Sequence, residues 1–479
     1  MYKPTIGLEI HLQLMTESKI FCSCSTEFAA KPNTHICPVC IGLPGALPVL
    51  NEKVIEYGVM LGIALNCTIN EVSSFYRKNY FYPDLPKGYQ ITQYAIPLAK
   101  DGFLEIVTEN QRKMIRIEKA HIEEDSGKSI HTGDITESEY SFIDFNRSGV
   151  PLMEIVTYPD IESPDEAYEF LNLLRSIARY LGVSTGDMEK GALRCDVNIS
   201  VSKDEVMGTK VEIKNLNSFR SVKRALEYEI KRQTKLIEEG RTVVKETRHF
   251  DEKDGTTKAM RTKEELNDYR YFPEPDLPPL IISGDFIEEI GQRIPELPNQ
   301  KMRRFIEDYS LSIDYARSIA YVPSFSKYFE SIIAFTGKPR EVANFIMVNI
   351  SNYLNETGKD IEEVPFGKEE FKELLDLIDS KIISLNIAKN VLDDSIRSGK
   401  SPSEIVREKG LSQVTDEDTL RSMIVEVLKE NEMQVRQYLA GKTKVIGFLV
   451  GAVMKKSGGK ANPDLVNKIL LKELETLRQ

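Results

Sequence analysis

The stretch Ile6–Leu14, IGLEIHLQL, alternates apolar and polar residues without a fault. Ile6, Leu8, Ile10, Leu12 and Leu14 fall on one side of an extended chain, and Gly7, Glu9, His11 and Gln13 on the other. A period of two predicts a strand with one face for a core and one left polar. A carboxylate and an imidazole two residues apart then project together. An ordinary half-exposed antiparallel strand would account for this stretch alone. The pattern gains weight because it recurs with carboxylates on the polar side.

Leu193–Val201, LRCDVNISV, sends Cys195, Val197, Ile199 and Val201 one way and Arg194, Asp196, Asn198 and Ser200 the other. Lys210–Asn215, KVEIKN, opposes Val211 and Ile213 to Lys210, Glu212 and Lys214. Lys113–Ser129 begins as a strand, with Ile115 and Ile117 alternating against Arg116 and Glu118. It ends in His121, Glu123, Glu124 and Asp125 before a Ser-Gly-Lys turn. Consecutive carboxylates repel unless cations or metal neutralise them, and an oxygen-rich site suits Mg²⁺. If the strands share a sheet, the acids line one surface with Arg194, Lys210 and Lys214 as counter-charges. Carboxylates for metal and cations for phosphate oxygens are the inventory of a phosphoryl-transfer site.

Four of the six cysteines are tightly patterned, Cys22-x-Cys24 and Cys37-x-x-Cys40. Two close thiolate pairs on a loop can close a tetrahedron around zinc, and four sulfurs leave no open position for catalysis. The expectation is a structural zinc loop over 22–40. Cys67 and Cys195 sit in apolar patterns and read as small core residues.

At 479 residues the chain has room for about three domains. Helical spacing is expected over Glu52–Ala64 and Ser218–Glu238. Between them, Arg77–Gln93 interleaves Tyr80, Phe81, Tyr82 and Tyr89 with Arg77, Lys78 and Lys87, a mixture that suits stacking on bases and pairing with phosphates. From Pro295 to about Arg407 the pattern is helical throughout. Arg436–Lys472 then carries eight cations against Asp464 alone, in a chain whose net charge is −11. A basic helical patch on an acidic chain points to RNA. No apolar run approaches the ~20 residues a membrane span needs, and the N-terminus has no apolar signal core, so a cytoplasmic protein is expected. No complete P-loop, G-x-G-x-x-G, H-E-x-x-H or G-x-S-x-G occurs.

Taken together, IGLEIHLQL, the four-cysteine set, RKNYFYPDLPKGYQITQ, HIEEDSGKS, LRCDVNISV and KVEIKNLNSF resemble the family of B subunits of the aspartyl/glutamyl-tRNA(Asn/Gln) amidotransferase, over nearly the whole chain. The resemblance implies an α+β fold: a cradle-like domain with a largely antiparallel sheet (1–292), an all-α helical domain (293–406) and a tRNA-binding tail (407–479). It implies a ligase subunit that phosphorylates the side-chain carboxylate of misacylated Glu-tRNA(Gln) or Asp-tRNA(Asn) with ATP and amidates it with ammonia. The ammonia would come from a glutaminase A subunit, with a small C subunit completing the complex. Glu9, His11, Glu123, Glu124, Asp196, Glu212 and Lys214 would form the catalytic set. Glu9, His11 and Glu124 would hold Mg²⁺, and Arg194, Lys210 and Lys214 would face the ATP phosphates. Arg77, Lys78, Tyr82, Lys87, Tyr89, Lys442, Lys444, Lys455, Lys456 and Lys460 would touch tRNA. Lys190, in MEKGALRCD, departs from the acid that the resemblance leads one to expect there. A rival reading from another class is a zinc-stabilised RNA-binding adaptor with no chemistry, which leaves the acidic strand faces unexplained.

Overall fold

The computed structural model describes residues 2–108, 111–131, 140–203, 206–260, 269–411, 417–458 and 461–477. The chain forms two compact units, Met1–Arg303 and Arg304–Gln479.

The first unit is built on one large sheet. Its main strands are β1 (Lys3–Gln13), β2 (Phe75–Asn79), β3 (Tyr89–Gln93), β4 (Ala99–Val107), β5 (Arg112–Glu124), β6 (Pro151–Thr157), β7 (Leu193–Ser202), β8 (Val211–Lys214), β9 (Thr247–Asp251) and β10 (Thr256–Ala259). They lie in the order β10-β9-β8-β7-β1-β6-β5-β3-β2, with Phe272–Pro273 beyond β2 and β4 beside β5. Among the described pairs, all are antiparallel except β8 with β9. The expected largely antiparallel sheet is therefore present, with β1 near its centre.

The even residues of β1 explain its place. Ile6, Ile10 and Leu12 are fully buried, and each such side chain contributes about 1.5–3 kcal/mol relative to exposure. Cys195, Val197 and Ile199 of β7 and Val211 and Ile213 of β8 continue the same apolar layer. Two helices pack against each other near it. α2 (Pro164–Tyr180), which follows α1 (Glu52–Ala64), starts where the Ser163 side chain accepts from the Glu166 amide, with proline in the first turn. It buries Phe170, Leu171, Leu174 and Ile177. α3 (Phe219–Glu238) starts on Ser218 and buries Val222, Ala225 and Leu226.

The aromatic stretch Arg77–Gln93 is half strand: β2 and β3 pair from Phe75↔Gln93 to Asn79↔Tyr89. Its prolines fall in the turn between them.

The second unit is helical throughout its described residues. Ser401 and Glu404 form a capping box. In the last part, helices Glu417–Glu430, Ile446–Lys456 and Pro463–Thr476 share a core of Leu420, Ile424, Val427, Leu449, Val453, Val466 and Leu470. Among the described residues, no helix is long and apolar enough to cross a membrane.

Candidate functional site

Register aligns the polar residues of β1 with those of its neighbours. Glu9 lies opposite Asp196, and His11 lies between Arg194 on β7 and Glu154 on β6. Glu154 in turn lies opposite His121 of β5, and Asn198 opposite Glu212. Cross-strand partners project to the same face. Glu212, Asp196, Glu9, His11, Glu154, His121 and Glu123 therefore share one surface of the sheet, drawn from β8, β7, β1, β6 and β5.

His121 and Glu123 owe their side to a break in register. β5 pairs with β6 as Val156↔Lys119 and then Thr157↔Ile117, skipping Glu118. Ile115 and Ile117 are buried at odd positions before the break, whereas Ala120 and Ile122 are buried at even positions after it. A bulge inserts one residue and exchanges the two faces downstream. Without it, His121 and Glu123 would point into the core.

The resulting cluster is tight. The His11 Nε2 atom lies 3.3 Å from a Glu154 oxygen and 3.4 Å from Glu123. His121 Nε2 lies 3.6 Å from Glu154 and 3.9 Å from Glu123. Burial opposes the His11 charge, but the hydrogen bond with Glu154 and the field of Glu123 win, raising it to about 8. Burial drives His121 down to about 4 and Glu123 up to about 7. Burial would also raise Glu154, yet His11 and His121 outweigh it and hold it near 2. Glu9 is raised, by burial first and by Glu154 next. These values make a prediction for the metal-free chain. Carbon-13 histidine NMR should find one imidazole titrating near pH 8 and one near pH 4, assigned by His11→Gln and His121→Gln. Since the His11 value is raised, its charge stabilises the fold below about pH 6.5, and that contribution is lost as pH rises through 8. Both residues titrating near 6.5 would contradict the packing.

Glu9, His11 and Glu154 each place one ligand atom within 4.8 Å of the other two, and His121, Glu123 and Glu154 do the same. Burial raises Glu9 and Glu123, whose charged forms a nearby cation would favour, and the buried Nδ1 of His121 has no hydrogen-bond partner. The donor set fits a hard divalent ion, Mg²⁺ through the carboxylates or Mn²⁺ with the imidazole as well.

Among the described residues, the ligand groups do not gather Glu124 with Glu9 and His11. Glu124 is one residue from Glu123 and leaves β5 on the other side. Its carboxylate pairs with the Lys87 ammonium and accepts from the Ile91 amide. It lines a small cavity with Cys40, Tyr89 and Gly149. Glu154 takes its place beside Glu9 and His11. The sequence signal for Glu154 was a single carboxylate in an otherwise apolar strand, PLMEIVT.

Other expected residues divide. Lys214 sits 2.5 Å from Asp196 and 3.0 Å from Glu212. Burial would lower it, but these two carboxylates hold it above the ordinary lysine range, so it remains a cation on the acidic face. Arg194 is bound to Asp125 at 3.0 Å, and Lys210 is exposed at the edge of β8. Arg77 is committed internally: it pairs with Glu274 at 2.7 Å and Asp276 at 3.1 Å, and stacks over Tyr89. Lys87 is neutralised by Glu124. Both cations are engaged in ion pairs within the first unit. Tyr82 is exposed. Lys78 lies over the rings of Tyr80 and Tyr269. In the tail, Lys442, Lys444 and Lys455 are exposed, and Lys456 pairs with Glu426 and Glu430. Lys460 lies outside the described residues.

The four sulfurs of Cys22, Cys24, Cys37 and Cys40 all lie within 4.8 Å of one another. A zinc–sulfur tetrahedron has edges of about 3.8 Å, so the set fits zinc. The Cys37 amide donates to the Cys40 sulfur at 3.2 Å. The loop is pinned by Asn33, which accepts from the Phe145 amide and donates to the Ile143 carbonyl, and by the fully buried Lys19, whose amine donates to the carbonyls of His35 and Phe145. Cys195 is buried, as expected, and Cys67 is partly so.

Residues 4–288 match the family model described as GatB/GatE catalytic domain, and residues 327–474 match the one described as GatB domain. Proteins named as the B subunit of the aspartyl/glutamyl-tRNA(Asn/Gln) amidotransferase are similar along the full length. The one from Thermodesulfovibrio yellowstonii is 53% identical over 476 residues, the one from Thermoanaerobacter pseudethanolicus 52% over 475, and the one from Thermotoga petrophila 50% over 478. Each alignment covers 99% of both chains.

Proposed function

The chain belongs to the family of aspartyl/glutamyl-tRNA(Asn/Gln) amidotransferase B subunits, and from that premise we propose that it performs the synthetic half of a tRNA-dependent amidation. Its substrate is a misacylated Glu-tRNA(Gln) or Asp-tRNA(Asn). Phosphorylation by ATP gives the side-chain carboxylate a leaving group, and ammonia displaces the phosphate. At neutral pH free ammonia is mostly ammonium, which is not a nucleophile, so a glutaminase A subunit delivers it, with a small C subunit completing the assembly. The three-part organisation at about residues 292 and 406 belongs to the same reading.

The observation that carries this is the convergence of acids and bases from five strands on one face. Glu9, His11 and Glu154 would hold Mg²⁺, which supplies charge neutralisation between two anionic reactants. Lys214, fixed as a cation by Asp196 and Glu212, meets phosphate oxygens. Glu123 and His121 orient His11 and Glu154. Arg194 and Lys210 steer the nucleotide. ATP turnover by the assembled enzyme, dependent on misacylated tRNA, tests the reading. A complex that binds tRNA and shows no such turnover favours the adaptor instead.

The tail reading has its own test. Truncation after residue 406 removes Lys442, Lys444 and Lys455. Loss of about three phosphate contacts should flatten the slope of log affinity against log salt by roughly 2 to 3 and weaken tRNA binding at least tenfold. Unchanged affinity would contradict an RNA role for the tail.

A further inference from the structure

A wall of tyrosines flanks the acidic cluster, and the reaction as read so far does not use it. Tyr76 lies opposite Thr92, and Thr92 lies opposite Glu123, so the polar face runs across β3 and β2 into aromatic surface. The Thr92 hydroxyl donates to the Glu123 carboxylate at 3.3 Å. Tyr94, just past β3, meets Tyr76 edge-on and stacks on Tyr271, with ring centres 3.9 Å apart and planes within 6°. Tyr269 packs edge-on against both Tyr271 and Tyr80, and the Lys78 ammonium sits 4.8 Å above its ring. The register Tyr76↔Thr92↔Glu123 places the wall beside the cluster. Tyr94 is 52% exposed, so a ring face remains open to a ligand.

We infer that this wall, through Tyr94 and Tyr271, seats the terminal adenine of the aminoacyl-tRNA. The inference rests on the functional reading above. An open tyrosine face with a cation nearby is a platform for a base and its phosphate. Two adenines take part in the reaction, and reach decides between them. The carboxyl to be activated hangs a few bonds from the terminal ribose of the tRNA, so that base must lie next to the acidic cluster. ATP's base is separated from its γ-phosphoryl by a ribose and two further phosphates, and belongs farther away. The tail can then hold the body of the tRNA while the wall sets where its reacting end stops.

The test uses the assembled amidotransferase and a glutamyl-tRNA whose terminal adenine is replaced by 2-aminopurine, whose fluorescence falls on stacking. Wild type should quench it. Tyr94→Leu should abolish the quench, keep overall tRNA binding through the tail, and raise KM for glutamyl-tRNA about tenfold, the scale of one stacked base, with KM for ATP unchanged. Tyr94→Phe should behave as wild type. Tyr271→Leu should reproduce the Tyr94→Leu pattern and guards against a fold defect in one variant. Three results overturn the inference and leave the amidation reading intact: no quench in a wild-type complex that amidates, a quench that survives Tyr94→Leu, or quenching of 2-aminopurine riboside triphosphate in place of the tRNA. A wild-type complex that binds tRNA without amidating removes the functional reading and this inference together.

Discussion

Glu154→Gln should lower ATP-dependent amidation by a factor on the order of 10² to 10³, the cost of one preorganised electrostatic group, and leave tRNA binding intact. The carboxylate stands opposite His11 on one strand and His121 on the other, and it belongs to both candidate ligand groups on the acidic face. Glutamine keeps its shape and removes its charge. Hydrogen bonding with the imidazoles survives in weakened form, so the fold should change little. Ammonium chloride as amide donor keeps partner glutaminase activity out of the measurement. Glu154→Asp should recover part of the rate with higher divalent-ion concentration, because the ligand type is retained at a shorter reach. Full activity in Glu154→Gln would remove the cluster from the chemistry.

Replacing Cys37 and Cys40 together by serine should take zinc from about one per chain to none and destabilise the first unit by roughly 5 kcal/mol or more. Structural zinc supplies about 10–16 kcal/mol of binding free energy to small folds, part of which this loop's own packing replaces. What makes the effect large here is what the loop covers. The amine of Lys19 is buried under it, held by the His35 and Phe145 carbonyls. Gly149 turns the chain beside Cys40 with φ at +84°, a conformation that favours glycine. Loss of the loop exposes the Lys87–Glu124 pair to water at the end of β5. Elemental analysis and thermal unfolding read the result directly, with a Tm fall of about 10 °C or more expected. Zinc-free wild-type protein purified without chelator, or a double variant as stable as wild type, would end the structural-zinc reading.

Much of the fold was legible because alternation is a local property. The faces of β1, β7 and β8 follow from which residues are apolar, and Ser218, where helical spacing was expected to begin, starts α3 by the hydrogen bond its side chain makes. The cysteine loop could be read from spacing alone, since a four-thiolate set has few other uses. The ion pairs of Arg77 and Lys87 were not legible: their partners Glu274 and Glu124 lie 197 and 37 residues away, and a charge looks available until its partner is known.

What the amino-acid sequence determined by itself is the chemistry on offer: strands with polar faces of acids and bases, a zinc-ready loop, a basic tail, and membership of an amidotransferase family. Which acids meet was decided only by tertiary structure. A one-residue bulge at Glu118 turned His121 and Glu123 towards β1 and left Glu124 facing Lys87, and cross-strand register brought Glu154 against His11. Register and bulges come from pairing between distant segments, and no local pattern encodes them.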